Sequence, residues 1–110
     1  MSNKLLVVIV SDDAKAIVGV RMASRMVERG SLDDVRVLFF GPSERLLADP
    51  PEPIRDALGT LRRQAAPMAC RFVAQEMQIA QPLEQAGTEL VAAGEEIERR
   101  MLEGYQLMTF

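Results

Sequence analysis

The chain has 110 residues, 48% of them apolar, with a formal net charge of −3, one cysteine and no histidine. That length suits one domain over residues 1–110 with its own core, and a lone cysteine excludes an internal disulfide. The missing histidine excludes Ser-His-Asp and Cys-His catalysis, histidine-ligated metals and histidine pH switches, and the acidic balance and 5% aromatic content argue against nucleic-acid partners.

In chain order, strand-like and helix-like segments alternate. Residues Lys4 to Val10 form a continuous β-branched and aliphatic run, the pattern of a strand covered on both faces. Ser11-Asp12-Asp13 supplies turn and N-cap chemistry, and from Asp13 to Arg29 the period turns helical, with Ala16, Val20, Ala23 and Val27 on one stripe. Gly30 and Ser31 stop that helix.

Val35 to Phe40 predicts the second strand, closed by Gly41-Pro42, with Ser43 as the cap of a short helix to Ala48. After the proline-rich connector 49–53, Ile54, Leu58 and Leu61 mark a helix ending near Arg63. Gln64 to Ala69 is the expected third strand, in conflict with Pro67, which has no N–H for a central ladder. Cys70 follows, then a helix from Arg71 to Met77, a second short helix opened by Pro82 and ended by Gly87, and a strand at Thr88–Val91.

Glu95 to Glu103 predicts a helix with Glu95/Arg99 and Glu96/Arg100 as i,i+4 pairs, its charges read as a solvated face. Gly104 ends it, and Tyr105–Phe110 predicts the last strand. Five strands separated by helices lead to an α/β fold: a three-layer α/β/α arrangement, flavodoxin-like, around a five-stranded, mostly parallel sheet with right-handed crossovers. No apolar run approaches the roughly 20 residues of a bilayer span, and nothing resembles a signal peptide. The expected compartment is therefore the cytoplasm, without a membrane partner.

Open parallel sheets bind ligands outside the carboxyl ends of their strands. Those ends carry Ser11, Asp12 and Asp13, then Gly41 and Ser43, then Cys70. A thiol between strand and helix feels the positive end of the helix dipole, and Arg71 adds a cation, which suits a nucleophile or sulfur carrier needing no histidine. Its bland counterpart is a buried cysteine acting as a small hydrophobe. Asp12 and Asp13 read more readily as cap and dipole partner than as an acid/base or cation pair. Gly41 to Ser43 reads as a turn, since phosphate-loop glycine spacing is absent. No cofactor or metal site is expected, and the seven methionines read as core or subunit-interface filler.

Taken together, several segments resemble the DsrE/DsrF-like family, which includes sulfur-relay subunits. They are the Leu6-Val7-Val8-Ile9-Val10 strand with its loop and long helix, the second strand ending Phe39-Phe40-Gly41, the stretch Pro67-Met68-Ala69-Cys70-Arg71-Phe72-Val73-Ala74, and the closing Gly104-Tyr105-Gln106-Leu107-Met108-Thr109-Phe110. The resemblance implies one DsrE-like domain in which Cys70 carries a persulfide between a donor and an acceptor protein, and a homo-oligomer, trimer or hexamer. Arg71-Phe72 stands where relay members often have small residues and a glycine. Two alternatives from other classes are a non-catalytic oligomeric scaffold with an inert Cys70, and a small-ligand binder using Ser11–Asp13 and Gly41–Ser43.

Overall fold

The structure, a computed structural model, describes residues 3–110. Strands β1 (Lys4–Ile9), β2 (Asp34–Phe39), β3 (Met68–Cys70), β4 (Glu89–Val91) and β5 (Tyr105–Thr109) alternate with α1 (Ala14–Arg29), α2 (Glu44–Ala48), α3 (Arg55–Gln64), α4 (Arg71–Glu76), α5 (Ala80–Gln85) and α6 (Ala93–Leu102). A single 3-10 turn, Glu52–Ile54, leads into α3. The strands form one sheet in the order β4-β3-β2-β1-β5, and every pairing is parallel.

That order explains the layers. From β1 to β4 the chain steps in one direction across the sheet, and crossovers of constant right hand place their helices on one face. There Leu5, Val7, Ile9, Val37 and Phe39 meet Ala16, Val20 and Ala23 of α1, Leu58 and Leu61 of α3, and Leu83 of α5. The step from β4 back to β5 reverses direction, so α6 lies on the opposite face. Leu6, Val8, Leu38, Met68 and Cys70 there share a second cluster with Ala93 and Tyr105, against which Ile97 packs. The result is the three-layer α/β/α architecture expected from the alternation of strand and helix patterns. None of the described helices is long and apolar enough to cross a membrane.

Several local features differ from the sequence expectations. The third strand is only Met68–Cys70: α3 runs on to Gln64, Ala66 has φ of 40°, and Pro67 stands outside the strand. The Pro67 carbonyl still accepts a hydrogen bond from the Glu89 N–H at 3.1 Å, so proline terminates the ladder without costing it a donor. The face of α6 is not wholly solvated. Glu96 is buried, and its carboxylate accepts from both Arg99 (2.7 Å) and Arg100 (2.6 Å), while Arg99 turns its second nitrogen to Glu103 rather than to Glu95. Burial works against the Glu96 carboxylate, but the bonds from Arg99 and Arg100 outweigh it and lower its pKa.

This ion pair continues into the sheet. Arg100 donates to the Tyr105 hydroxyl, which donates to Asp34, which accepts from Arg36 at 2.9 Å. The guanidinium of Arg100 also lies 5.1 Å from the centre of the Tyr105 ring. A connected polar group thus closes the amino-terminal end of the sheet, and the opposite, carboxyl end is left for chemistry.

Candidate functional site

At the carboxyl end of β1, the Asp13 side chain accepts from the Lys15 N–H (3.0 Å) and from the Ser11 hydroxyl (2.9 Å), making Asp13 the N-cap of α1. The Ser11 bond, then the Lys15 N–H, hold the Asp13 carboxyl below its usual value. Asp12 is exposed beside it. Ser11 and Asp13 therefore serve the start of α1, and among the described residues no three His, Cys, Asp or Glu side chains converge as a metal site.

Gly41, Ser43 and Cys70 come together at the ends of β1, β2 and β3. Gly41 has φ of 105°, a conformation that favours glycine, and it turns the chain from β2 into a tight helical start. Pro42 follows with its φ already helical. Ser43 stands at the N-cap position of α2 expected from sequence, but it has helical dihedrals and makes no side-chain cap bond. Its buried hydroxyl donates instead to the Ile9 carbonyl, and its N–H donates to the Val10 carbonyl, pinning the start of α2 to the end of β1.

Glu44 is the group that the sequence reading missed. It is the first residue of α2, fully buried, and its Oε2 accepts from the Gly41 N–H at 3.1 Å. The signal was a glycine followed three residues later by a glutamate, the back-reaching half of a capping box, before the apolar Leu46-Leu47. Its Oε1 has no hydrogen-bond partner, although the backbone N–H of Cys70 faces the same carboxyl. Burial pushes this carboxyl up to about 7, against the counteracting Gly41 and Cys70 N–H groups. A buried carboxyl titrating near neutrality is characteristic of sites that move protons.

Cys70 ends β3 and is the N-cap residue of α4. Its side chain points to the α6 face, with Val91 as its partner on β4, in the cluster of Leu38, Met68 and Ala93. It is 4% exposed. Arg71, next in the chain, is exposed and donates to the Leu90 carbonyl at 3.3 Å, so its cation is tied to β4. With Val91, Ala92, Glu95, Glu96 and Arg99 it lines a surface hollow of about 290 Å³. Phe72, one residue further, is 56% exposed.

Compared with known proteins, the sequence matches no protein-family model and no curated protein. The fold does match solved structures over nearly its whole length. A conserved protein of unknown function from Bacteroides thetaiotaomicron superposes with a TM-score of 0.83 at 16% identity, covering 98% of this chain and 95% of that one. A protein of unknown function from Methanobacterium thermoautotrophicum gives 0.73 at 16% identity, with 98% and 99% covered. The ychN protein from E. coli gives 0.72 at 20% identity, with both chains fully covered. At these identities the likeness is one of fold.

Proposed function

We propose that this chain is a cytoplasmic DsrE-like sulfur carrier that holds a persulfide on Cys70. The observation that carries the reading is the placement of its one thiol at the carboxyl end of a central parallel strand, with an unpaired buried carboxyl against its backbone N–H. The family resemblance of the Pro67–Ala74 stretch adds to it. Sulfur transfer needs a donor to reach a buried Sγ, so the Cys70–Arg71 junction opens during the reaction. The exposed Phe72 ring and the Arg71 hollow form the surface a donor or acceptor protein meets there. The test is thiol modification of the folded protein across pH. A carrier reacts while folded, and a protein that reacts only after denaturant is added would contradict the reading.

The burial of Cys70 favours one other reading, a non-catalytic oligomeric scaffold in which the thiol is core. Both readings include self-association, as a trimer or hexamer in the family resemblance. Leu102 at 90% exposure, with Met101 beside it and Leu107 on the α6 side of the outer strand β5, gives an apolar surface that a second copy would cover. Sedimentation of wild type and Leu102→Glu tests this: a smaller particle for the variant supports it, and a wild-type monomer excludes it.

A further inference from the structure

Where α4, β4 and α6 meet, the hollow of about 290 Å³ is lined by four charged side chains, Arg71, Glu95, Glu96 and Arg99, together with Val91 and Ala92. Two of the four are committed elsewhere in the fold. Glu96 accepts from Arg99 and Arg100, and Arg99 holds Glu103 with its second nitrogen. The other two, Arg71 and Glu95, are exposed and opposite in sign, yet among the described residues no salt bridge includes either. A single bond, to the Leu90 carbonyl at 3.3 Å, engages Arg71, which leaves most of its guanidinium donors unused.

These charges select a ligand by exclusion. A simple anion would meet Glu95 and Glu96, and a simple cation would meet Arg71 and Arg99. The Glu96 and Arg99 charges cancel, and what remains is one guanidinium and one carboxylate. Their complement is a small molecule that carries both a carboxylate and an ammonium group, a free α-amino acid, with a charge-assisted hydrogen bond at each end. The hollow also adjoins the thiol, because Val91 is the register partner of Cys70 and packs against the same cluster.

We propose that this hollow recognises the amino-acid head of a small persulfide, such as cysteine persulfide, as the sulfur donor to Cys70. Arg71 takes the carboxylate and Glu95 the ammonium group. This rests on the sulfur-carrier reading of Cys70. In the transfer the Cys70 thiol gives up its proton to solvent, and Sγ attacks the terminal sulfur of the donor. The Sγ–S bond forms, and the donor S–S bond breaks with its electron pair leaving on the cysteine thiolate. That thiolate takes up a proton, so no oxidant or reductant is consumed. A small donor suits a thiol that is 4% exposed, and it leaves before an acceptor protein covers the hollow.

The experiment is calorimetric titration of the full chain with three compounds: L-cysteine, N-acetyl-L-cysteine without the ammonium charge, and L-cysteine methyl ester without the carboxylate. Wild type binds L-cysteine and loses about tenfold in affinity for either analogue, the scale of one hydrogen bond to a charged group. Glu95→Gln abolishes the discrimination against N-acetyl-L-cysteine and keeps that against the ester, and Arg71→Gln does the reverse. Glu84→Gln, which alters a neighbouring hollow that Arg71 also lines, changes neither. Equal affinities for the three compounds, no saturable binding at millimolar concentration, or a loss through Glu84 rather than Glu95 overturns the proposal. Cys70→Ser keeps the binding of L-cysteine. Binding without any sulfur uptake from cysteine persulfide counts against the sulfur reading alone, and uptake without discrimination among the three compounds counts against the recognition alone.

Discussion

The carboxyl of Glu44, in the first turn of α2, lies buried against the backbone N–H of Cys70, the last residue of β3. Its cost to stability has a definite sign. In the unfolded chain the carboxyl ionises near its ordinary 4.5, whereas in the folded protein burial holds the proton up to about 7. The folded state therefore binds more protons between these values, and stability falls as pH rises from about 4.5 to 7. The loss is on the order of 3 kcal/mol, for a carboxyl moved from 4.5 to about 7. Urea unfolding of wild type and Glu44→Gln at pH 5 and pH 8 checks this. The variant gains on wild type at pH 8, and an equal difference at the two pH values would refute the assignment.

At the opposite end of the sheet, Tyr105→Phe removes the hydroxyl that donates to Asp34 and accepts from Arg100. Burial would raise the Asp34 carboxyl, but the Tyr105 and Arg36 bonds outweigh it and hold its pKa down. Such a group stabilises the fold above its unfolded value of 3.8 and loses that contribution as pH falls through its lowered folded value. The substitution is expected to cost about 1–2 kcal/mol at pH 7 and less at pH 3, as read from unfolding midpoints.

At Gly19, α1 closely approaches Ile9 of β1 and Phe110. A Cβ there would lie 2.7 Å from Cγ of Phe110 and 2.8 Å from Cδ1 of Ile9. Phe110 is itself fixed, its N–H donating to the Val8 carbonyl at 2.9 Å and its carbonyl accepting from Val10 at 2.7 Å. Gly19→Ala gains helix propensity but forces the ring and the Ile9 methyl apart. The net expectation is a loss of roughly 1–3 kcal/mol, as for overpacked cores, measurable as a lowered thermal midpoint. A variant as stable as wild type would show that α1 shifts freely.

Much of this fold was legible in the chain because its strands and longer helices carry their burial in their own periodicity. Lys4–Ile9 reads as a strand buried on both faces because α1 and α6 lie on either side, and Ala16, Val20 and Ala23 face the core as their spacing requires. The third strand was harder. With three residues, Met68–Cys70 is too short to show a period, and the positive φ of Ala66 that separates it from α3 has no glycine to announce it. The site was half legible. Cys70 is visible as the lone thiol, but the burial of Glu44 and Glu96 is decided by tertiary neighbours. Adjacent glutamates Glu95 and Glu96 look alike in sequence, and only Glu96 turns inward, toward Arg100.

The central claim, sulfur carriage on Cys70, is tested most directly by intact-protein mass spectrometry after incubation with a cysteine desulfurase and free cysteine. The expected result is a mass increase of one sulfur atom on the folded wild-type protein, removed by a thiol reductant and absent from Cys70→Ser. A wild-type protein that stays unmodified with that desulfurase and with glutathione persulfide, while its fold is intact, would contradict it.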